Sequence, residues 1–194
     1  MRSLLALAVS AATLAGGFDD SVVQRYHVRI DWTELRAPSC EQIEASAPEP
    51  ARTGLDFSYE IPPPRPHAGG GFEGRPVFRL EQVVIEAPRV VSWPNMSATD
   101  RARAEAFRHA LFHHEVGHVV TAEETMRALQ SEPLIVAPDI PSYVDAAKED
   151  ARAGEARFKH DQDVYEALSD HGRAQRRVPP PLGGRDTILF CVDR

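Results

Sequence analysis

Two histidines and a glutamate on one predicted helix carry the chemistry that this chain offers most plainly. They form a His-Glu-x-x-His motif at His114, Glu115 and His118. Because residues four apart on an α-helix share a face, the two histidines can direct ring nitrogens at one metal ion. Glu115 lies about 100° round the helix from His114, where its carboxylate can reach a water on that metal. The motif therefore predicts two zinc ligands and a general base.

The residues around the motif predict the helix that would position it. Residues 97–100 have the composition of an N-terminal cap, and the next proline along the chain is Pro133. One stripe of side chains recurs every three or four residues and consists of Phe107, Leu111, His114, His118 and Ala122. We therefore expect both histidines on the inward-facing side of a single helix.

A catalytic zinc site needs a third protein ligand, which the motif does not supply. Zinc in such sites usually has three protein ligands and one open position. A metzincin would carry glycine and histidine where this chain has Thr121 and Glu124. Spacing alone leaves several candidates on or beside a second predicted helix. They are Asp139, Glu149, Asp150, Glu155 and His171.

Composition and charge favour one exported globular domain. The chain has 194 residues, 42% of them hydrophobic, and its net charge of −7 argues against nucleic acid as a partner. Residues 1–17 have the features of a secretory signal, with Arg2 before an apolar run at Leu4–Leu14 that is too short to span a bilayer. We expect the mature domain, residues 18–194, to be periplasmic or secreted, without a membrane span once the signal is cleaved.

The cysteine content fits the same compartment. Cys40 and Cys191 are the two cysteines of the chain, and an oxidising compartment favours their pairing in a disulfide. Such a bridge would close a loop of about 150 residues and contribute about 3–5 kcal/mol in the chain-entropy model. Their separation does not match the spacing of a zinc site, so sulfur ligands are not expected.

Hydrophobic periodicity predicts an α+β fold, with an antiparallel sheet and two long helices packed on one face. Proline and glycine between Pro62 and Gly74 predict a loop. Pro88 indicates an edge position or a bulge in its strand. The predicted strands are Tyr26–Trp32, Leu55–Ile61, Val77–Val91 and Thr187–Val192. The predicted helices run from the cap at 97–100 to about Gln130, from Ser142 to about Asp170, and, after Pro38, over a short stretch between Glu34 and Ala47.

The chain resembles the DUF922 family of bacterial secreted proteins, which are described as predicted zinc-dependent proteases. The resemblance rests on two blocks, Ala110–His118 and Tyr165–Gly172, with Tyr26–Val28 as a weaker point of similarity. It implies a zincin-like fold, peptidase activity, and His171 as the third zinc ligand. Two residues of the second block depart from the family's pattern, since Glu166 and Ser169 stand where an aspartate and a threonine are expected.

These observations predict a secreted or periplasmic zinc metallopeptidase acting on a peptide or protein. In this hypothesis His114, His118 and His171 hold Zn²⁺, and Glu115 takes a proton from the attacking water. Tyr165 or Arg173 is the candidate for stabilising the oxyanion. The strand that ends near Val91 is expected to be the sheet edge along which an extended substrate pairs. The alternative is a non-catalytic zinc-binding envelope protein acting as a binding module, which would not need Glu115.

Overall fold

A computed structural model describes residues 17–35, 51–90, 97–180 and 182–183 of the chain. Within these ranges the helices are α1 (Gly17–Arg25), α2 (Ala98–Ser131) and α3 (Ile140–Ser169), followed by a 3₁₀ turn at Gln175–Arg177. The strands are β1 (Arg29–Leu35), β2 (Arg52–Glu60), β3 (Arg65–Pro66), β4 (Phe72–Gly74), β5 (Val77–Val90) and β6 (Ile135–Ala137).

The larger sheet has the order β1-β5-β2, and β5 is its central strand. β1 runs parallel to β5, while β2 runs antiparallel to it, from Arg52 opposite Glu86 to Glu60 opposite Val77. The expectation that the strand ending near Val91 forms an edge is therefore wrong. Pro88 is tolerated because the pairing of β2 with β5 stops at Glu86, so that Pro88 lies beyond the last β2 pair. A smaller sheet joins β3, β4 and β6.

Helix α2 begins where its sequence predicts, but it packs on the sheet with residues outside the predicted stripe. The side chain of Ser97 caps it by accepting a hydrogen bond from the backbone N–H of Asp100. Its buried residues include Phe112, Val116 and Val119, which join one hydrophobic core with Ile85 of β5. These residues lie on a different face of α2 from the predicted stripe, whose members Phe107, Leu111, His114 and Ala122 are also buried.

Helix α3 packs on α2 and on the part of the larger sheet where β2 pairs with the start of β5. Asp139 caps its start by accepting a hydrogen bond from the backbone N–H of Ser142. Phe158 of α3 stacks on Phe57 of β2 at a ring-centroid distance of 4.1 Å. Gly154 allows close approach here, because a Cβ at that position would collide with the ring of Phe78.

Three consecutive residues after α3 have positive φ, namely Asp170, His171 and Gly172. Non-glycine residues rarely take this left-handed conformation, and here two of them precede the glycine. The turn that they form ends α3 and sends the chain back, so that buried Gln175 reaches α2.

The α+β class with two long helices is confirmed. The sheet is mixed, whereas the strand alternation predicted an antiparallel one. β1 begins at Arg29 because α1 and a turn at His27 take up the residues before it.

Several predictions lie outside the described residues. They are residues 1–16 of the predicted signal, the helix predicted after Pro38, the strand at Thr187–Val192 and both cysteines. Among the described helices, none combines the length and apolar character needed to cross a membrane.

Candidate metal centre

The histidines of the motif meet a carboxylate of α3 in the interior. The Nε2 atoms of His114 and His118 lie 3.3 and 3.1 Å from the same oxygen, Oε2 of Glu166. These three ligand atoms all lie within 4.8 Å of one another. His114 is buried, and the side chains of His118 and Glu166 are largely covered. Two adjacent elements of the fold thus supply two imidazoles and one carboxylate to a single point.

The three residues fit a metal ion. Oε2 of Glu166 is buried and makes no hydrogen bond of acceptable geometry, although two ring nitrogens stand within 3.3 Å of it. An orphaned buried carboxylate oxygen is costly unless a cation satisfies it. Two histidines and one glutamate form a donor set that occurs in catalytic zinc sites. The group could therefore hold a metal ion.

The negative charge of Glu166 and the positive charge that His118 can carry each favour the charged form of the other residue. The imidazoles that contact Oε2 hold the pKa of the Glu166 carboxyl far below its usual range. Burial opposes a charged His118, but its contacts with Glu166 and Gln162 and the negative charge of Glu115 raise its pKa overall. The carboxylate is thus ionised throughout the physiological range, as a metal ligand must be.

His171, the third ligand that the family resemblance implies, lies beside this group without belonging to it. Its Nδ1 pairs with the other oxygen of Glu166, Oε1, and 74% of its side chain is exposed. The ligand atoms that converge within 4.8 Å are those of His114, His118 and Glu166. In this arrangement His171 orients Glu166, and its own coordination of a metal stays a prediction.

The acids that spacing left open lie elsewhere. Asp139 caps the first turn of α3, Glu149 and Glu155 are exposed along that helix, and Asp150 is partly exposed beside Glu149. At 1.5 Å per residue, the eleven residues from Glu155 to Glu166 span about 16 Å, too far for a shared ion. The sequence did not predict Glu166 as a ligand, and the signal that could have found it is the helix face of Gln162, Tyr165, Glu166 and Ser169, spaced by three and four residues.

Glu115 lies next to the group and is itself buried. Burial raises the pKa of its carboxyl, while a hydrogen bond from Thr53 and the charges of His114 and His118 work in the opposite direction. The Thr53 hydroxyl of β2 lies 2.7 Å from Oε2 of Glu115 and 3.0 Å from the backbone oxygen of the same residue. A buried carboxylate with a raised pKa is suited to accept a proton near neutral pH. No pattern in the sequence pointed to Thr53.

Tyr165 of α3 contacts both the backbone and the ring of His114. Its hydroxyl donates to the backbone oxygen of His114 at 2.9 Å, and its ring stacks on the imidazole with centroids 5.3 Å apart. The side chain is buried. These contacts give Tyr165 a positioning role, and its predicted oxyanion contact would require the hydroxyl to leave His114. Arg173, the other oxyanion candidate, is exposed in the turn after α3.

Two glutamines complete the surroundings of the motif. Oε1 of Gln162, on α3, lies 2.8 Å from Nδ1 of His118. Oε1 of Gln175, in the 3₁₀ turn, lies 3.3 Å from Nδ1 of His114. Both imidazoles therefore have a polar partner at the nitrogen that faces away from Glu166.

No family model, curated protein or solved structure matches this chain. The resemblance to the DUF922 family and the zincin-like topology therefore stay predictions, and the case for the site's function comes from its geometry.

Proposed function

We propose that this protein is a zinc-dependent peptidase whose metal ligands are His114, His118 and Glu166 and whose general base is Glu115. One observation carries the proposal. Glu115 is a buried carboxylate with a raised pKa. It lies beside Glu166, an ionised carboxylate that contacts the imidazoles of His114 and His118. One acid is thus suited to bind a cation and the other to accept a proton, which is the division of roles that metal-assisted hydrolysis requires.

The proposed metal ligands are two neutral imidazoles and one negatively charged carboxylate. A zinc ion bound here would polarise the scissile carbonyl and make a water acidic enough to attack near neutral pH. His114 and His118 supply neutral nitrogen donors, and Glu166 supplies one negative charge from α3. His171 holds the second oxygen of Glu166, which limits the rotation of the carboxylate.

Glu115 moves the proton. It accepts one from the attacking water and delivers it to the amine that leaves when the peptide bond breaks. The Thr53 hydroxyl occupies Oε2 of Glu115, which leaves Oε1 as the oxygen for proton transfer. Burial keeps the carboxylate in a low-dielectric setting, where its affinity for a proton is higher than in water.

An extended peptide would pair along β2. In the described part of the larger sheet, β2 is an outer strand, and Thr53 connects it directly to Glu115. The outer side of such a strand offers backbone N–H and C=O groups to an added strand. β2 thus takes the role that the sequence assigned to the strand ending near Val91.

The test is peptide cleavage by the zinc-loaded protein and by Glu115→Gln, read by mass spectrometry on a diverse peptide library. The substitution keeps size and removes basicity, so zinc content should stay while the rate falls by about 10²–10⁴. Glu124→Gln, which changes an exposed acid of the same helix, is the matched control and should cut like the wild type. Zinc binding without cleavage would favour the binding-module alternative, and equal rates for Glu115→Gln would exclude Glu115 as the base.

A further inference from the structure

The orientations of the Gln162 and Gln175 side-chain amides show which nitrogen of each motif histidine carries the proton. An amide side chain has an accepting oxygen and a donating nitrogen, and the two ends are told apart by their other partners. A neutral imidazole likewise carries its proton on one nitrogen or the other. The orientation of each amide therefore decides which nitrogen of the neighbouring histidine bears the proton.

Backbone carbonyls fix both amides. Nε2 of Gln162 donates to the carbonyl oxygen of His118 at 3.1 Å. Nε2 of Gln175 donates to the carbonyl oxygen of Leu182 at 2.6 Å. A carbonyl oxygen only accepts, so turning either amide round would set two oxygens face to face. The side-chain oxygens of Gln162 and Gln175 must therefore point at the rings.

Tyr165 provides an independent check on Gln175. Its hydroxyl has one proton, which it donates to the carbonyl oxygen of His114. It can then only accept from the second neighbour, and Nε2 of Gln175 lies 3.1 Å away. Both amide protons of Gln175 thus have acceptors, Leu182 and Tyr165, and its oxygen is left for His114. Each polar atom of the Gln175 side chain therefore has a partner of the opposite kind.

We infer that Gln162 and Gln175 are positioning residues that hold His118 and His114 as their Nδ1–H tautomers, so that both Nε2 lone pairs face Glu166. Each ring then donates from Nδ1 to an amide oxygen and has its lone pair on Nε2. Three electron-pair donors converge as a result, two from imidazoles and one from a carboxylate. This inference rests on the proposed metal site and extends it to residues that do not touch the metal.

The choice of amides rather than carboxylates has a chemical consequence. Histidine ligands are commonly oriented by a carboxylate or a carbonyl, and a carboxylate also makes the ring more basic. Glutamine orients the ring without adding a negative charge. Glu166 and Glu115 are then the two acids within the immediate surroundings of the motif histidines, as far as the described residues show.

Zinc affinity tests the inference without any need for turnover. Gln162→Met and Gln175→Met keep the approximate shape and remove the accepting oxygen, so each should weaken zinc binding by about 10–100-fold. Gln162→Glu keeps the acceptor at Nδ1 but sets its second oxygen against the carbonyl oxygen of His118, so it should recover part of the affinity that Gln162→Met loses. Gln24→Met, at an exposed glutamine of α1, is the matched control and should leave affinity unchanged. If Gln175→Met does not fold, the comparison of Met with Glu at position 162 still decides.

The tautomers can be read directly from long-range ¹H–¹⁵N spectra of the histidine rings, with and without zinc. In the zinc-loaded protein we expect Nδ1–H for both His114 and His118, whereas in the zinc-free protein a ring protonated on both nitrogens also donates from Nε2 to Glu166. An Nε2–H tautomer for either ring in the zinc-loaded protein, or unchanged affinity in both Met variants, would overturn the inference. A protein that binds zinc through these tautomers but cuts no peptide would refute the peptidase proposal alone.

Discussion

The hydroxyl group of Tyr165 occupies the space that a side chain at Gly117 would fill. A Cβ built on Gly117 collides with the oxygen and the adjoining ring carbon of Tyr165. The motif thus needs its glycine because α3 presses an aromatic ring against that point of α2. The same hydroxyl donates to the backbone oxygen of His114, three residues earlier on the helix.

We expect Gly117→Ala to destabilise the protein, although alanine is favoured over glycine within a helix by about 0.8–1.0 kcal/mol. Overpacking a buried contact typically costs about 1–3 kcal/mol, so the collision outweighs the helical preference. Urea unfolding of the zinc-free protein measures the difference. Gly54→Ala is the control, because a Cβ there would meet its nearest atom, the backbone oxygen of Val84, at an ordinary 3.7 Å. A Gly117→Ala variant as stable as the wild type would contradict the described contact.

The third ligand can be assigned by ranking substitutions by their effect on zinc affinity. Glu166→Ala removes an atom of the converging group, so it should weaken binding by more than the roughly 10–100-fold expected for an orienting residue. His171→Ala removes the partner of Oε1 and should fall within that range. Glu149→Ala and Glu155→Ala, on the exposed part of α3, should have no effect. A larger loss for His171→Ala than for Glu166→Ala would restore His171 as the ligand.

The pair of Arg52 and Glu86 should make stability depend on pH. The two residues are opposite each other on β2 and β5, and the guanidinium hydrogen-bonded to Glu86 lowers the pKa of that carboxyl below its unfolded value of 4.5. A lowered folded pKa contributes stability above the unfolded pKa and loses it as the pH falls through the folded one. Glu86→Gln should therefore cost stability at neutral pH and cost progressively less as the solution becomes more acidic.

Urea unfolding over a pH series measures this effect. Glu81→Gln is the control, since Glu81 is exposed on the same strand and accepts from the neutral hydroxyl of Ser58. A cost for Glu86→Gln that stays the same from neutral to acid pH would contradict the ion pair. Salt should reduce the cost as well, because both side chains are partly exposed.

A disulfide between Cys40 and Cys191 stays a prediction from the sequence, because both cysteines lie outside the described residues. The protein isolated from an oxidising compartment and denatured without reductant should show no reactive thiols when titrated. Two reactive thiols per chain would exclude the bond. Reduction should lower stability, since the bond restricts the unfolded chain.

The sequence predicted those features that depend on neighbours along the chain. The cap at Ser97 and the periodic stripe of α2 are local, so the helix and the inward direction of His114 and His118 followed from them. The start of α3 at Ile140 rather than Ser142 differs because Asp139 caps the helix in place of a later residue. Local signals of this kind decide where a helix lies and which face it buries.

Features that depend on contacts between distant segments were missed. Alternation along β5 shows that one face is buried, but it does not say that β1 and β2 both pair with this strand. Glu166 was not predicted as a ligand, because nothing local shows that its helix crosses α2 at the level of the motif. Thr53 is separated from Glu115 by 62 residues, so only the folded chain brings them together.

The left-handed turn at Asp170–Gly172 implies that the candidate metal centre is completed late in synthesis of the chain. Gln175 lies beyond that turn and contacts His114, which the ribosome makes about sixty residues earlier. A nascent chain can therefore form helix α2 with its motif, yet it cannot hold His114 in its final orientation until α3 and the turn have followed. In the proposed zinc site, stable capture of the metal would then be a late event of maturation, and a chain truncated within α3 would carry an intact motif that binds zinc poorly.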